Sequence, residues 1–81
     1  MAPVHILIVP VKHLASLNDA ETSDATLLGE MLLLARRIAV EESADQAGYR
    51  LVVNTGSGAG QSVHHLHMHL LAGRRMGWPP G

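Results

Sequence analysis

The sequence predicts an α+β fold with antiparallel strand pairing and one long helix, and three observations carry that prediction. The first is an alternation: His65, His67 and His69 are interleaved with Leu66, Met68 and Leu70. Successive side chains on a strand point to opposite faces, so the imidazoles share one face and the apolar side chains the other. Read as a helix, the same residues scatter in steps of roughly 100° and no face is coherent. The second is a long stretch of apolar residues at helical spacing over residues 24–42. The third is a pair of short runs rich in strand formers, residues 4–9 and 49–54. The second run is joined to the histidine segment by a Gly-rich connector, which makes an antiparallel hairpin the natural topology.

In chain order, residues 4–9 (Val-His-Ile-Leu-Ile-Val) read as a strand buried on both faces or nearly so, closed by Pro10. His5 is its one polar residue, and a strand-end histidine satisfied by solvent or a carbonyl explains it as well as a functional role does. Residues 10–14 form a turn. The polar stretch 18–24 offers Thr22, Ser23 or Asp24 as the cap of the helix that follows. In that helix Leu27, Met31, Leu34 and Ile38 fall on one stripe, with Leu28, Leu32, Ala35 and Ala39 beside it and Leu33 toward the outer side. A face this broad suits two surfaces, the sheet and a partner helix. Gly48 marks a turn, residues 49–54 the second strand and residues 63–71 the third, with His64 on the apolar side near a strand end. The closing Trp78-Pro79-Pro80-Gly81 is neither helix nor inner strand, and its Trp needs a surface to bury against.

Composition bounds the function classes. With 81 residues the chain is one domain, 1–81, and a domain this small has a marginal core. One Trp, one Tyr and no Phe leave that core to aliphatic side chains. The absence of Cys removes disulfide support and the secreted-scaffold reading. A core without such staples favours association with a second copy. Net charge is −1 with no basic block, which disfavours nonspecific nucleic-acid binding. No apolar run approaches the ~20 residues of a membrane span, and the N-terminus lacks the n- and h-regions of a signal peptide. A cytoplasmic protein without membrane association is expected.

Three aligned imidazoles call for a chemical reason: a metal, a nucleophile or an anion site. Same-face neighbours on a strand lie roughly 6.5–7 Å apart, so two histidines can chelate one ion and three do so with difficulty. No Cys, Asp or Glu beside the strand completes a ligand set, so neither a structural metal nor a cofactor is expected. A nucleophile suits the central ring, His67. A neutral imidazole attacks phosphorus if one nitrogen is unprotonated and its proton is held on the other. Flanking rings can hold phosphate oxygens or relay protons. The connector Thr55-Gly56-Ser57-Gly58-Ala59-Gly60-Gln61-Ser62 is not a Walker loop, because no Gly-Lys-Ser/Thr and no helix follow it. It reads first as a hairpin loop. Beside the histidines, its N–H groups and the Ser62 hydroxyl could contact a phosphate, with Asn54 facing the same mouth.

His65-Leu66-His67-Met68-His69-Leu70-Leu71 fits the histidine triad pattern, in which His alternates with apolar residues. The wider string over residues 60–74, with Gly77-Trp78-Pro79-Pro80-Gly81, closely resembles the nucleotide-binding Hint branch of the histidine triad (HIT) superfamily. So do His5-Ile6-Leu7-Ile8-Val9-Pro10-Val11-Lys12-His13 and Tyr49-Arg50-Leu51-Val52-Val53-Asn54. The resemblance covers nearly the whole chain. Its terminal Trp-Pro-Pro-Gly is specific to this branch and argues against the dinucleotide-hydrolase and nucleotidyl-transferase branches.

The resemblance implies a HIT-like α+β fold with an antiparallel sheet, and a homodimer in which two sheets and the long helices meet. It implies hydrolysis of purine nucleoside 5′-phosphoramidates through a nucleotidyl-histidine intermediate. His67 then corresponds to the nucleophile, His65 and His69 to its triad partners, and His5 to a fourth histidine that orients the triad. Ser62 and Gly60 correspond to contacts with phosphate and leaving group, with His67 and His69 at the phosphate and Asn54 on the ribose-phosphate side. Trp78 corresponds to a residue that reaches the partner's active site. His64 stands where an aromatic residue is often found and takes no role. Family members carry a strand pair and a base-cradling segment ahead of the position of Met1, so the chain corresponds to the C-terminal portion of the domain, with an open sheet edge expected. An alternative follows from that difference: a dimeric nucleotide- or metal-binding module with little turnover.

Overall fold

Residues 2–81 are described by a computed structural model. The elements in order are β1 (Val4–Ile8), α1 (Ala25–Glu41), β2 (Tyr49–Val52) and β3 (Met68–Ala72). Single 3-10 turns occupy Leu17–Asp19, Thr22–Asp24 and Ser57–Ala59. The predicted α+β class is what the chain adopts: three antiparallel strands in the order β1-β3-β2, with one long helix.

Register decides what each face carries. His5 lies opposite Leu71 and Leu7 opposite His69; on the other side of β3, Arg50 lies opposite Leu71 and Val52 opposite His69. Cross-strand partners share a face. One face therefore presents His5, Leu7, His69, Leu71, Arg50 and Val52. The other presents Val4, Ile6 and Ile8 from β1, Met68, Leu70 and Ala72 from β3, and Tyr49 and Leu51 from β2. The helix covers this second face. Ile8, Leu14, Met31, Ala35, Leu66 and Met68 form the main core cluster, and Ala39, Ala44 and Ala72 a second one against Val4 and Tyr49. Ala35, Ala39 and Ala72 have no exposed surface. Their small size lets the helix lie close to the sheet.

Several details differ from the expectations. The third strand starts at Met68 rather than residue 63. Upstream of it β1 and β2 have ended, so no ladder partner is available; Leu66 N–H instead donates to the Leu14 carbonyl at 2.6 Å. The alternation nevertheless persists, with Leu66 buried and His65 and His67 half-buried. His64 is exposed at a bend rather than on the apolar side. The strand β1 is buried on one face only: His5 and Leu7 are exposed, and so is Val9 beyond its end. The reason is that the chain supplies one helix, and that helix covers one side of the sheet. β1 is also an edge strand. On α1 the inner stripe is Met31, Ala35 and Ala39 with Leu27, Leu28 and Ile38 against it, whereas Leu32, Leu33 and Leu34 are exposed.

Asp24 occupies the N-cap position of α1, but its side chain does not cap the helix. It turns backward, accepting from Lys12 Nζ at 2.5 Å and from the Glu21 N–H at 2.9 Å. The carboxylate is buried. Together these bonds clamp the segment after β1 to the start of α1. The Lys12 hydrogen bond, then the Glu21 N–H, hold its pKa below the usual aspartate value, against the opposing effect of burial. Its contribution to stability is complete above the unfolded pKa of about 3.9 and is lost as pH falls through the lower folded value. Asp24→Asn is therefore expected to lower Tm at pH 7, with the gap from the native protein narrowing below about pH 4. Thermal melts at pH 7 and pH 3 check this, and a gap that does not narrow contradicts the clamp.

Candidate active site

The buried half of the alternation positions the polar half. Leu66, Met68 and Leu70 are almost fully buried, so the backbone between them is held extended and the intervening imidazoles must face away from α1. His67 Nδ1 lies 2.7 Å from the His65 carbonyl oxygen. A carbonyl can only accept, so Nδ1 carries the hydrogen, and in the neutral ring the lone pair sits on Nε2. The condition set for a nucleophilic imidazole, a proton held on one nitrogen and the other left free, is met by main-chain geometry alone.

His69 continues the array. Its ring centroid is 5.1 Å from that of His67 and 5.0 Å from that of His5. His5 Nε2 and His69 Nδ1 share a hydrogen bond of 2.7 Å. When His5 donates, His69 keeps its own N–H on Nε2, free for an external acceptor. Burial, and then the neighbouring imidazoles of His5 and His67, push the His69 pKa below the usual histidine value. Its ring therefore stays neutral at neutral pH.

His65 behaves differently. Its Nε2–H donates to the Pro10 carbonyl at 3.0 Å, and its ring meets the edge of His13 at 5.0 Å between centroids. Its main-chain carbonyl, rather than its ring, is what engages His67. Each of these imidazoles thus has a ring nitrogen committed to a protein partner rather than aimed at a common point. Among the described residues no group of three or more His, Cys, Asp or Glu side chains is arranged to hold a metal ion.

Beside His65 and His67 lies an open apolar groove of about 280 Å³, completed by Leu7, Val9 and Val63. Ser62 and Gly60 are exposed in the connector just before it. Gly60 is left-handed, with φ 89° and ψ 15°, a conformation that strains any residue with a Cβ. Asn54 is half-buried two residues beyond the end of β2. Trp78 is exposed and makes no ring contact with the histidines among the described residues. The structure thus gathers His5, His67 and His69 into one array, sets the His65 carbonyl beneath it, and leaves Trp78 apart.

Two residues escaped the sequence reading. His13 packs edge-on against His65. Gln61 is buried, and its amide is fully used: Oε1 accepts from Gly56 N–H at 2.9 Å, while Nε2 donates to the carbonyls of Ala15 at 2.8 Å and Val63 at 3.1 Å. This one side chain closes the Gly-rich connector and ties it to the segment after β1. The available signal was chemical: a primary amide has the donors and acceptor needed to replace water inside a loop. Gln61→Ala leaves those partners unmet, at about 1–3 kcal/mol each where water cannot reach. Urea denaturation should show the loss, and an unchanged midpoint contradicts the role.

The HIT domain family matches the chain over residues 1–76, a span that includes His5, His13, His65, His67 and His69. An uncharacterized HIT-like protein of Synechococcus elongatus is 50% identical over 80 residues, covering 99% of this chain and 69% of that protein. Among solved structures, a HIT family hydrolase from Legionella pneumophila superposes with a TM-score of 0.96 at 51% identity, covering 99% of this chain and 71% of that one. A histidine triad protein from Clostridium difficile gives a TM-score of 0.90 at 42% identity, covering 94% and 66%. With the family pattern spanning nearly all of its length and the imidazole array formed as described, this chain belongs to the HIT domain family.

Proposed function

We propose that the protein hydrolyses nucleoside 5′-phosphoramidates, cleaving the P–N bond between a purine nucleoside monophosphate and an amine. The observation that carries this reading is the 2.7 Å bond from His67 Nδ1 to the His65 carbonyl, which leaves Nε2 as the free nucleophile. The Nε2 lone pair attacks the α-phosphorus, forming an N–P bond as the P–N bond to the amine breaks. The amine takes a proton as it departs, passed through the Ser62 hydroxyl from solvent. Water then attacks phosphorus, the bond to His67 breaks, the nucleotide leaves, and the water returns the proton the amine took. The His69 Nε2–H, oriented by His5, stabilises the phosphoryl oxygens at both steps. Gly60 and Asn54 bound the phosphate and ribose sides of the mouth. The name of the Legionella relative, a HIT family hydrolase, supports hydrolytic chemistry, and the Trp78-Pro79-Pro80-Gly81 resemblance supports phosphoramidates over dinucleotides.

The working unit in this reading is a homodimer. The outer face of α1 forms a groove of about 480 Å³ lined by Glu30, Leu33, Leu34, Arg36, Arg37 and Val40. Leu33 is 58% and Val40 55% exposed, which is apolar surface that a second copy can cover. Release of amine and of nucleoside monophosphate from adenosine 5′-phosphoramidate, followed by phosphorus NMR, tests the activity. Binding of adenosine monophosphate without any turnover would return the reading to a nucleotide-binding module.

A further inference from the structure

Beyond the end of β1 the chain has no regular structure, yet residues 10–15 are held at nearly every position. The Pro10 carbonyl accepts from His65 Nε2 at 3.0 Å, and Lys12 bonds to the buried Asp24 carboxylate. The His13 ring stands perpendicular to that of His65, with 5.0 Å between centroids. The Leu14 carbonyl accepts from the Leu66 N–H at 2.6 Å, and the Ala15 carbonyl from Gln61 Nε2 at 2.8 Å. All but the Lys12 bond lead to residues 61–66, directly before the proposed nucleophile. Sheet pairing cannot hold that stretch, because β3 begins only at Met68. Residues 10–15 hold it instead.

One peptide group receives most of this support. The unit between His65 and Leu66 gives its N–H to Leu14, and its carbonyl accepts from His67 Nδ1 at 2.7 Å. In a trans peptide these two groups point in opposite directions, so Leu14 and the His67 ring lie on either side of it. A peptide that donates through its N–H accepts more strongly at its carbonyl, because the two bonds polarise one another. The Leu14 end is anchored, since Leu14 and Leu66 are both buried in the main core cluster. The peptide itself is steadied by the adjoining His65 ring, which is gripped between the Pro10 carbonyl and the His13 ring.

We propose that His13 is a positioning residue for His67: by walling the His65 ring it keeps the 65–66 peptide aligned between Leu14 and His67, which holds the hydrogen on Nδ1 and aims Nε2. His13 acts through His65 rather than on the reacting atoms. It is exposed, and among the described residues no hydrogen bond uses its ring. Its part is therefore played by the shape and stiffness of an aromatic ring. The effect on turnover rests on the phosphoramidase reading above; the effect on the tautomer does not.

Nitrogen-15 NMR of the imidazoles separates the tautomers, and amide hydrogen exchange follows the Leu66 N–H. In the native protein His67 is expected in the Nδ1–H form, with the Leu66 amide exchanging as slowly as those of β3 although it lies outside any strand. In His13→Ala, Tm should stay within a few degrees of the native value, as for a substitution outside the core. Leu66 exchange should quicken about tenfold or more, and the His67 nitrogen signals should move toward a mixture of tautomers. For adenosine 5′-phosphoramidate, kcat should fall about tenfold at unchanged KM. His13→Phe retains a ring and should match the native protein in every one of these measurements. Native Leu66 exchange as fast as that of the exposed connector amides overturns the proposal without any variant. Unchanged His67 and Leu66 signals in His13→Ala overturn it, as does failure of His13→Phe to preserve them. A lower Tm with exchange raised uniformly across the sheet overturns it too, because that is a loss of stability alone. If the native protein leaves the phosphoramidate uncleaved, the phosphoramidase reading fails, while the NMR measurements still decide the positioning role.

Discussion

Replacing His67 with Ala is expected to lower kcat/KM for adenosine 5′-phosphoramidate by about 10⁴-fold or more. The covalent route requires an atom that attacks phosphorus, and His67 carries its lone pair on Nε2 because the His65 carbonyl holds the hydrogen on Nδ1. At His65 the hydrogen sits on Nε2, donated to the Pro10 carbonyl, and at His69 the bond accepted from His5 at Nδ1 leaves it on Nε2, so neither ring offers the Nε2 lone pair that His67 does. His67 is half-buried, on the sheet face opposite the helix. Its removal should therefore leave Tm within a few degrees of the native value, about what a substitution outside the core costs. Binding of adenosine monophosphate, measured by calorimetry, should survive in the variant. Equal rates of amine release from His67→Ala and native protein would remove the covalent assignment.

The second large effect belongs to the opposite face of the same segment. Leu70 has no exposed surface and sits at the centre of β3, opposite Ile6 on one side and Leu51 on the other. Leu70→Ala should cost about 2–5 kcal/mol, the transfer term plus the cavity left behind. Domains of this length have about 4–12 kcal/mol in total, so much of the stability is removed. Urea unfolding is the measurement, and a loss below about 1 kcal/mol would contradict the packing described. Activity should fall with the folded fraction, because Leu70 neighbours His69 and anchors its backbone. The two variants separate the roles of the alternation: His67→Ala removes chemistry and keeps the fold, whereas Leu70→Ala weakens the fold and loses activity only in proportion to the unfolded fraction.

Much of the candidate site was legible in the sequence because its cause is local. A two-residue period assigns opposite faces wherever the backbone is extended, so the separation of imidazoles from Leu66, Met68 and Leu70 survives even though regular pairing begins only at Met68. The hairpin was equally readable, since a Gly-rich connector between two strand-forming runs leaves few alternatives. The helix fell at Ala25–Glu41, against an expectation of residues 24–42.

Other features were not legible, and the reasons differ. Along α1 nearly every position from Leu27 to Val40 is apolar or charged in a pattern that permits more than one inner stripe. Close approach to the sheet selected Ala35 and Ala39 over Leu32 and Leu34, a choice made by available space rather than by hydrophobicity. Asp24 was readable as a cap, but Lys12 and the Glu21 N–H drew its carboxylate backward.

By itself, then, the sequence determined the class of fold, the membership of the imidazole face and the identity of the central histidine, because strand period and residue type act over a few positions. The tertiary structure decided what each imidazole does with its two nitrogens. The Pro10 carbonyl that claims His65 is 55 positions away, and the His5 ring that meets His69 is 64 positions away. Gln61 reaches Ala15 across 46 positions and Arg50 reaches Gly77 across 27. Such bonds depend on which segments the sheet register brings side by side. No local pattern encodes that, so the protonation geometry of the site exists only once β1, β2 and β3 are paired.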